Sequence, residues 1–184
     1  MKKSIIFLFT VLMVTICFAQ ETKDVIKFMG IPVDGTKSAM IQKLKSKGFT
    51  YDTKTDTFKG EFNGQDALIS LQTVNGKVWR VQVTTPLLFN GYNETHVKIN
   101  FNRLCQQFEQ NPKYVSFQTE SQEIGDEEDI SYEISVKSKQ YEAVYLQDGD
   151  KMKFVWFTIY TFLDYYYIII FYENSYNEAN GEDL

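Results

Sequence analysis

Histidine occurs once in the 184 residues, at His96, and cysteine twice, at Cys17 and Cys105. No histidine cluster exists to hold zinc, and a zinc site would have to be assembled from four carboxylates or from distant partners. No glycine-rich phosphate loop follows a predicted strand, so nucleotide binding by the usual loops has no support. Positive charge is also short, with 19 Lys and Arg against 24 Asp and Glu. A chain this acidic is repelled by a phosphate backbone, which argues against nucleic acid as a partner. Beyond the N-terminus no apolar run is long enough to span a bilayer as a helix. The most apolar one, Tyr165 to Tyr172, has eight residues of β-favouring chemistry and reads as a strand. What is plentiful is core-forming material. Hydrophobic residues make up 43% of the chain and aromatic residues 16%, which excludes disorder as a description of the whole.

The N-terminus reads as an export signal. Lys2 and Lys3 precede an apolar stretch from Ile5 to Phe18, and the small Ala19 is followed by polar residues. Residues 1–19 are therefore expected to be a cleaved signal peptide. Residues 20–184 would form one domain that is periplasmic or extracellular, with a formal charge that falls from −5 to −7 without the two lysines. The competing reading is a lipid anchor at Cys17, where Val14-Thr15-Ile16-Cys17 loosely matches a lipobox. Ile16 stands where a small residue is normal. With Cys17 removed, Cys105 is a lone thiol and no intramolecular disulfide can form. It is expected to be a small buried hydrophobe.

Alternation and turn residues divide the remainder. A short strand around Val25 to Ile31 leads to a helix that starts near Asp34 or Thr36, turns Met40 and Leu44 inward and stops at Gly48. Strands are predicted over Thr57 to Phe62, Ala67 to Thr73 and Lys77 to Thr85. A tight Asn75-Gly76 turn would set Leu71 against Arg80, whereas a three-residue loop sets Leu71 against Trp79 and Ile69 against Val81. The hydrophobic pattern favours the longer loop. Asn93 caps a second helix, from about Glu94 to Gln110, with Val97, Phe101, Leu104 and Phe108 on one stripe and Pro112 as the stop. Glu120 to Asp129 reads as a mobile acidic loop. Strands follow over Ile130 to Val136, Tyr141 to Leu146, Met152 to Phe162 and Tyr165 to Glu173, and residues 174–184 read as a frayed acidic tail. The expected fold class is α+β. An antiparallel sheet would be built from two helix-then-meander units, residues 25–86 and 92–173, with both helices packed on one face.

The segment Phe28-Met29-Gly30-Ile31-Pro32-Val33-Asp34-Gly35-Thr36, with Leu44 and Lys47-Gly48-Phe49 after it, resembles a group of small exported bacterial proteins of unknown function. The likeness extends through Phe58-Lys59-Gly60-Glu61-Phe62 and Val78-Trp79-Arg80-Val81 and covers about a third of the chain. The repeated helix-then-meander order also resembles β-lactamase inhibitory protein and the SmpA/OmlA outer-membrane assembly lipoproteins. The resemblance implies binding to other proteins with no chemistry of its own.

Candidate chemistry is sparse. His96 and Cys105 are nine residues apart, about 900° of helical rotation, and so lie on opposite faces of one helix. Gly125 to Asp129 and Asp148-Gly149-Asp150 are acidic but lack the ligand spacing of a calcium loop. No residue is singled out as catalytic, and no cofactor or metal is called for. Aromatic residues crowd the C-terminal third, and the candidate binding residues are Trp156, Tyr160, Tyr165, Tyr166, Tyr167 and Tyr172. On an open sheet face they would recognise a protein or glycan partner. Buried on both sides, they would be core or a homodimer interface. The expectation is an exported, non-enzymatic binding module. A carboxylate-dependent hydrolase and a self-associating structural envelope protein are the alternatives.

Overall fold

The computed structural model describes residues 24–86 and 91–178. The signal segment, Cys17, most of the connection after Pro86 and the last six residues lie outside the described residues. A two-residue hairpin pairs β1 (Lys27–Phe28) with β2 (Ile31–Pro32). Helix α1 (Lys37–Ser46) follows, capped by the Thr36 hydroxyl, which accepts from Ala39 N at 3.3 Å. The strands are β3 (Thr50–Asp52), β4 (Thr57–Phe62), β5 (Gln65–Val74) and β6 (Lys77–Thr85). Helix α2 (Glu94–Glu109) starts at Asn93, whose Oδ1 accepts from His96 N at 2.9 Å. Then come β7 (Tyr114–Ser116), α3 (Ile130–Ser135), β8 (Glu142–Gln147), β9 (Lys153–Phe162) and β10 (Tyr165–Asn174). The order in the large sheet is β3-β4-β5-β6-β10-β9-β8-β7, antiparallel throughout.

The expected α+β pair of helix-then-meander units does not hold. Strand takes 42% of the described residues against 21% helix, in one eight-stranded sheet and a two-stranded one. The second unit also fails as expected, because residues 130–136 do not form a strand. Their alternation hides a second spacing: Ile130 and Ile134 are four apart, and Asp129 Oδ1 caps the turn by accepting from Tyr132 N at 2.8 Å. Ile130 is buried and Ile134 packs against the core, while Tyr132 and Val136 stay exposed. The segment before it is not loose either. Lys98 Nζ donates to the carbonyls of Asp126 and Glu128, and Asn102 Nδ2 donates to that of Ile124, so α2 pins the acidic loop. The beginning of the C-terminal tail is held likewise: buried Asn174 donates to Val33 O, and Asn177 to Asp34 Oδ1.

The β5–β6 register also departs from expectation. Val74 faces Lys77 across a tight Asn75-Gly76 turn, with both turn residues at positive φ (49° and 77°). Thr73 then faces Val78, but Gln72 faces Arg80, so Trp79 is the extra residue of a bulge. The bulge reconciles the tight turn with the apolar pattern. Val78, Val81 and Val83 all reach the core, with Val81 opposite Leu71 and Val83 opposite Ile69.

One side of the large sheet carries the core. Phe58, Ile69, Val81, Val83, Ile170, Phe157 and Tyr145 are sealed beneath Met40 and Leu44 of α1, Phe101 and Phe108 of α2, and Ile130 of α3. Phe108 stacks on both Tyr145 (4.9 Å) and Phe157 (5.8 Å), and Phe101 meets Phe157 edge-on at 5.0 Å. Cys105 is fully buried here and its thiol is pushed up to about 12, chiefly by burial, which makes it an inert part of the core. His96, on the outer side of the same helix, is exposed.

Candidate functional site: the open face of the sheet

Strand alternation turns the remaining residues to the opposite face, which no helix covers. Register aligns them in rows. One row runs Gln72, Arg80, Glu173, Phe154 and Leu146, and the next Ser70, Gln82, Phe171, Trp156 and Val144. Tyr160 lies opposite Tyr167, and Phe162 opposite Tyr165. The β4–β6 half of this face is polar and the β8–β10 half aromatic.

The two halves meet in a compact charged cluster. Arg80 Nη2 approaches Glu173 Oε1 at 2.5 Å, and Trp156 Nε1 donates to the same oxygen at 2.8 Å. The guanidinium lies over the Trp79 ring at 4.0 Å and the Phe171 ring at 5.1 Å, while Phe171 stacks on Trp156 at 4.1 Å. Arg80 Nη1 donates to Gln72 Oε1 at 3.3 Å, and Gln72 Nε2 to Gln82 Oε1 at 3.4 Å. Arg80 Nε is the one buried side-chain polar atom without a hydrogen bond among the described residues. Burial raises the Glu173 carboxyl above its ordinary range, although Trp156 and Arg80 both pull it down. The ion pair is therefore short but costly, since desolvation outweighs its two partners.

Beyond this cluster the β9–β10 hairpin outruns its neighbours. The β6 ladder ends at Thr85 opposite Ile168, and the β8 ladder begins at Glu142 opposite Thr158. Past those pairs the strands have mainly each other, with one bridge from Tyr92 to Tyr166. The tip leaves Tyr160 (49%), Phe162 (41%), Leu163 (65%) and Tyr165 (48%) open to solvent. Its turn is unusual in composition. Met29-Gly30, Asn63-Gly64, Asn75-Gly76 and Asp148-Gly149 all place glycine second at positive φ, whereas here Leu163 (φ 48°) and Asp164 (φ 63°) occupy the left-handed region. A leucine held there costs about 1 kcal/mol, and its side chain gains no burial in return.

Of the expected binding residues, the structure brings Trp156, Tyr160, Tyr165 and Tyr167 to this face. Only Tyr160 and Tyr165 are exposed; Trp156 is half-buried, and Tyr167 is sealed with its ring against Gly91. Tyr166 and Tyr172 point to the core side, where Tyr172 meets Phe28 edge-on at 5.0 Å. Sequence reasoning missed Phe162, Leu163, Phe171, Arg80 and Glu173. Two residues without glycine between Phe162 and Tyr165 were the available signal for the first two. Asp148 and Asp150, considered as calcium ligands, turn instead toward the buried ammonium of Lys153, which Asp24 also approaches at 2.9 Å.

No protein family, curated protein or solved structure matches the chain. Among the described residues no helix is long and apolar enough to cross a membrane.

Proposed function

We propose that this protein is an exported binding module that recognises a macromolecule, foremost another protein, through the tip and open face of the β9–β10 hairpin. Export rests on Lys2, Lys3 and the apolar stretch from Ile5 to Phe18. The observation that carries recognition is Leu163. A leucine in the left-handed region, largely exposed and flanked by exposed Phe162, Tyr160 and Tyr165, is a local cost with no return inside the fold. Strain kept where it contributes nothing to packing points to a surface that serves outside contacts. Behind the tip, the Trp156–Phe171 stack and the Arg80–Glu173 ion pair form a support whose side chains are held by one another.

The test compares residues 20–184 of the wild-type chain with a Tyr160→Ser, Leu163→Ser, Tyr165→Ser variant, each incubated with envelope and culture-medium extracts of its own organism. A stoichiometric partner retained by the first and lost by the second, at unchanged Tm, supports the reading. Equal retention, or none by either, overturns it. A concentration-dependent dimer that disappears in the variant would assign the surface to self-association instead. Trp156 is unsuited to this role, because its loss would also strip Glu173 of a hydrogen bond.

A further inference from the structure

On the other side of the sheet, the β1–β2 hairpin and the C-terminal end of α2 stand apart and leave a groove. One part is about 280 Å³, lined by Met29, Phe62, Leu104 and Phe108, by Tyr114 and Tyr172, and by the amides of Asn63, Gln107 and Asn111. The adjoining part, about 460 Å³, shares Met29, Phe62, Tyr114 and Tyr172 and is also lined by Lys27 and Lys113. The larger part lies within the range of small-ligand sites and the smaller just below it.

Tyr172 is only 7% exposed, yet no protein group among the described residues bonds its hydroxyl. A buried phenol normally finds a partner. The hydroxyl is not sealed in, since Arg80 Nε is the one fully buried unbonded side-chain atom among the described residues, and the groove is the space it lines. Tyr114 is half-buried beside it, also without a side-chain hydrogen bond, with its ring edge-on to Phe108 at 4.9 Å. Both phenols have raised pKa values, burial being the larger cause in each, so both are donors at neutral pH. The charges at the mouth are not equivalent. Asp24 and Asp148 are engaged by Lys153, and Asp24 also by Lys27 at 3.5 Å, whereas Lys113 has no ion pair among the described residues. Two phenols without a hydrogen bond and the Lys113 ammonium, lining adjoining parts of one groove with Met29, Phe62 and Leu104, suit a single anionic acceptor with an apolar body.

We infer that this groove binds a small apolar monocarboxylate, its carboxylate taken by the Tyr172 and Tyr114 hydroxyls with Lys113 at the mouth, and its hydrocarbon along Met29, Phe62 and Leu104. Decanoate, below its micellar concentration, is the probe, with decanol as the uncharged control. Titration calorimetry on the whole chain is expected to give one decanoate per protein and a markedly weaker decanol. Tyr172→Phe keeps the ring and removes the donor, and should weaken decanoate about ten-fold, the share of a hydrogen bond to a charged group. Should Tyr172→Phe lower Tm, the less buried positions carry the same test through Tyr114→Phe and Lys113→Gln. Lys113→Gln should also flatten the salt dependence of binding. Absence of decanoate binding overturns the inference, as do decanol binding as tightly and unchanged affinity in the variants that remain folded.

Discussion

Across the open face, β4 to β6 present Lys59, Glu61, Ser70, Gln72 and Gln82, whereas β8 to β10 present Val144, Leu146, Trp156, Tyr160, Ile169 and Phe171. The same sheet, with the same alternation and one shared core beneath it, carries a solvated half and an aromatic half. The first is what an antiparallel sheet with one wet side ordinarily shows. The second departs from that rule, and the departure grows toward the β9–β10 tip, where ladder partners run out. Packing demands do not account for it, because the core on the covered side is already closed by Phe101, Phe108 and Phe157. Surface chemistry here is set strand by strand, and toward the tip the aromatic half is free to differ because Tyr160, Phe162 and Leu163 bury little there.

That separation can be broken by substitution. The largest effect should come from the covered side. Phe157→Ala removes a ring that stacks on Phe108 and Tyr145 and meets Phe101, and is expected to cost about 4 kcal/mol in urea unfolding. A cost below about 1 kcal/mol would mean that the core does not depend on this face as described. The seam comes next. Glu173→Leu strands Arg80 and orphans the Trp156 N–H, so a loss of about 3 kcal/mol is expected. Glu173→Gln, which keeps an acceptor and removes the buried charge, should cost far less. Comparable losses in the two variants would show that the charge itself holds the seam.

A smaller effect follows pH. Lys153, buried on the covered side, has a raised pKa, first through its hydrogen bond from Nζ to Asp24. A cation favoured by folding contributes fully below its unfolded value, near 10.5, and loses that contribution as pH rises through the higher folded value. Stability should therefore decline above about pH 10.5, and Lys153→Met should remove this part of the decline, both read by denaturation at pH 9 and 11. The smallest change has the opposite sign. Leu163→Gly relieves the left-handed leucine and should stabilise by about 1 kcal/mol, while weakening capture of the partner. A Leu163→Gly chain that is less stable, or that binds as well, would remove the special standing given to the tip.

How much of this was legible beforehand depends on how many signals each segment carried. Helix α2 was readable because its cap, its stripe and Pro112 agree, and the structure starts it at Glu94 as the sequence implies. Strand β9 and strand β10 were readable from their β-favouring composition. The β5–β6 register was not, because Asn75-Gly76 and the valines pointed to different pairings and only a bulge at Trp79 satisfies both. Residues 130–136 misled because their alternation is also an i, i+4 pattern, and the deciding contact, Glu94 Oε1 accepting from Ile130 N, lies 36 residues away in the chain. The candidate face was half legible. Parity of position separated Trp156 and Tyr160 from Phe157, but exposure depended on where β6 and β8 stop, which no local pattern encodes. Arg80 and Glu173 met only through register and were invisible until it was known.

The outermost strands have a consequence for how this molecule meets its own kind. β3 and β7 are three residues each, so the outermost strands of the sheet are short, and the main stretch of backbone with few lateral partners is the β9–β10 tip. A long free margin is a template on which further chains can add and propagate. Short outermost strands restrict that route, and strand addition to this sheet is left chiefly to the tip, where the exposed aromatic side chains also lie.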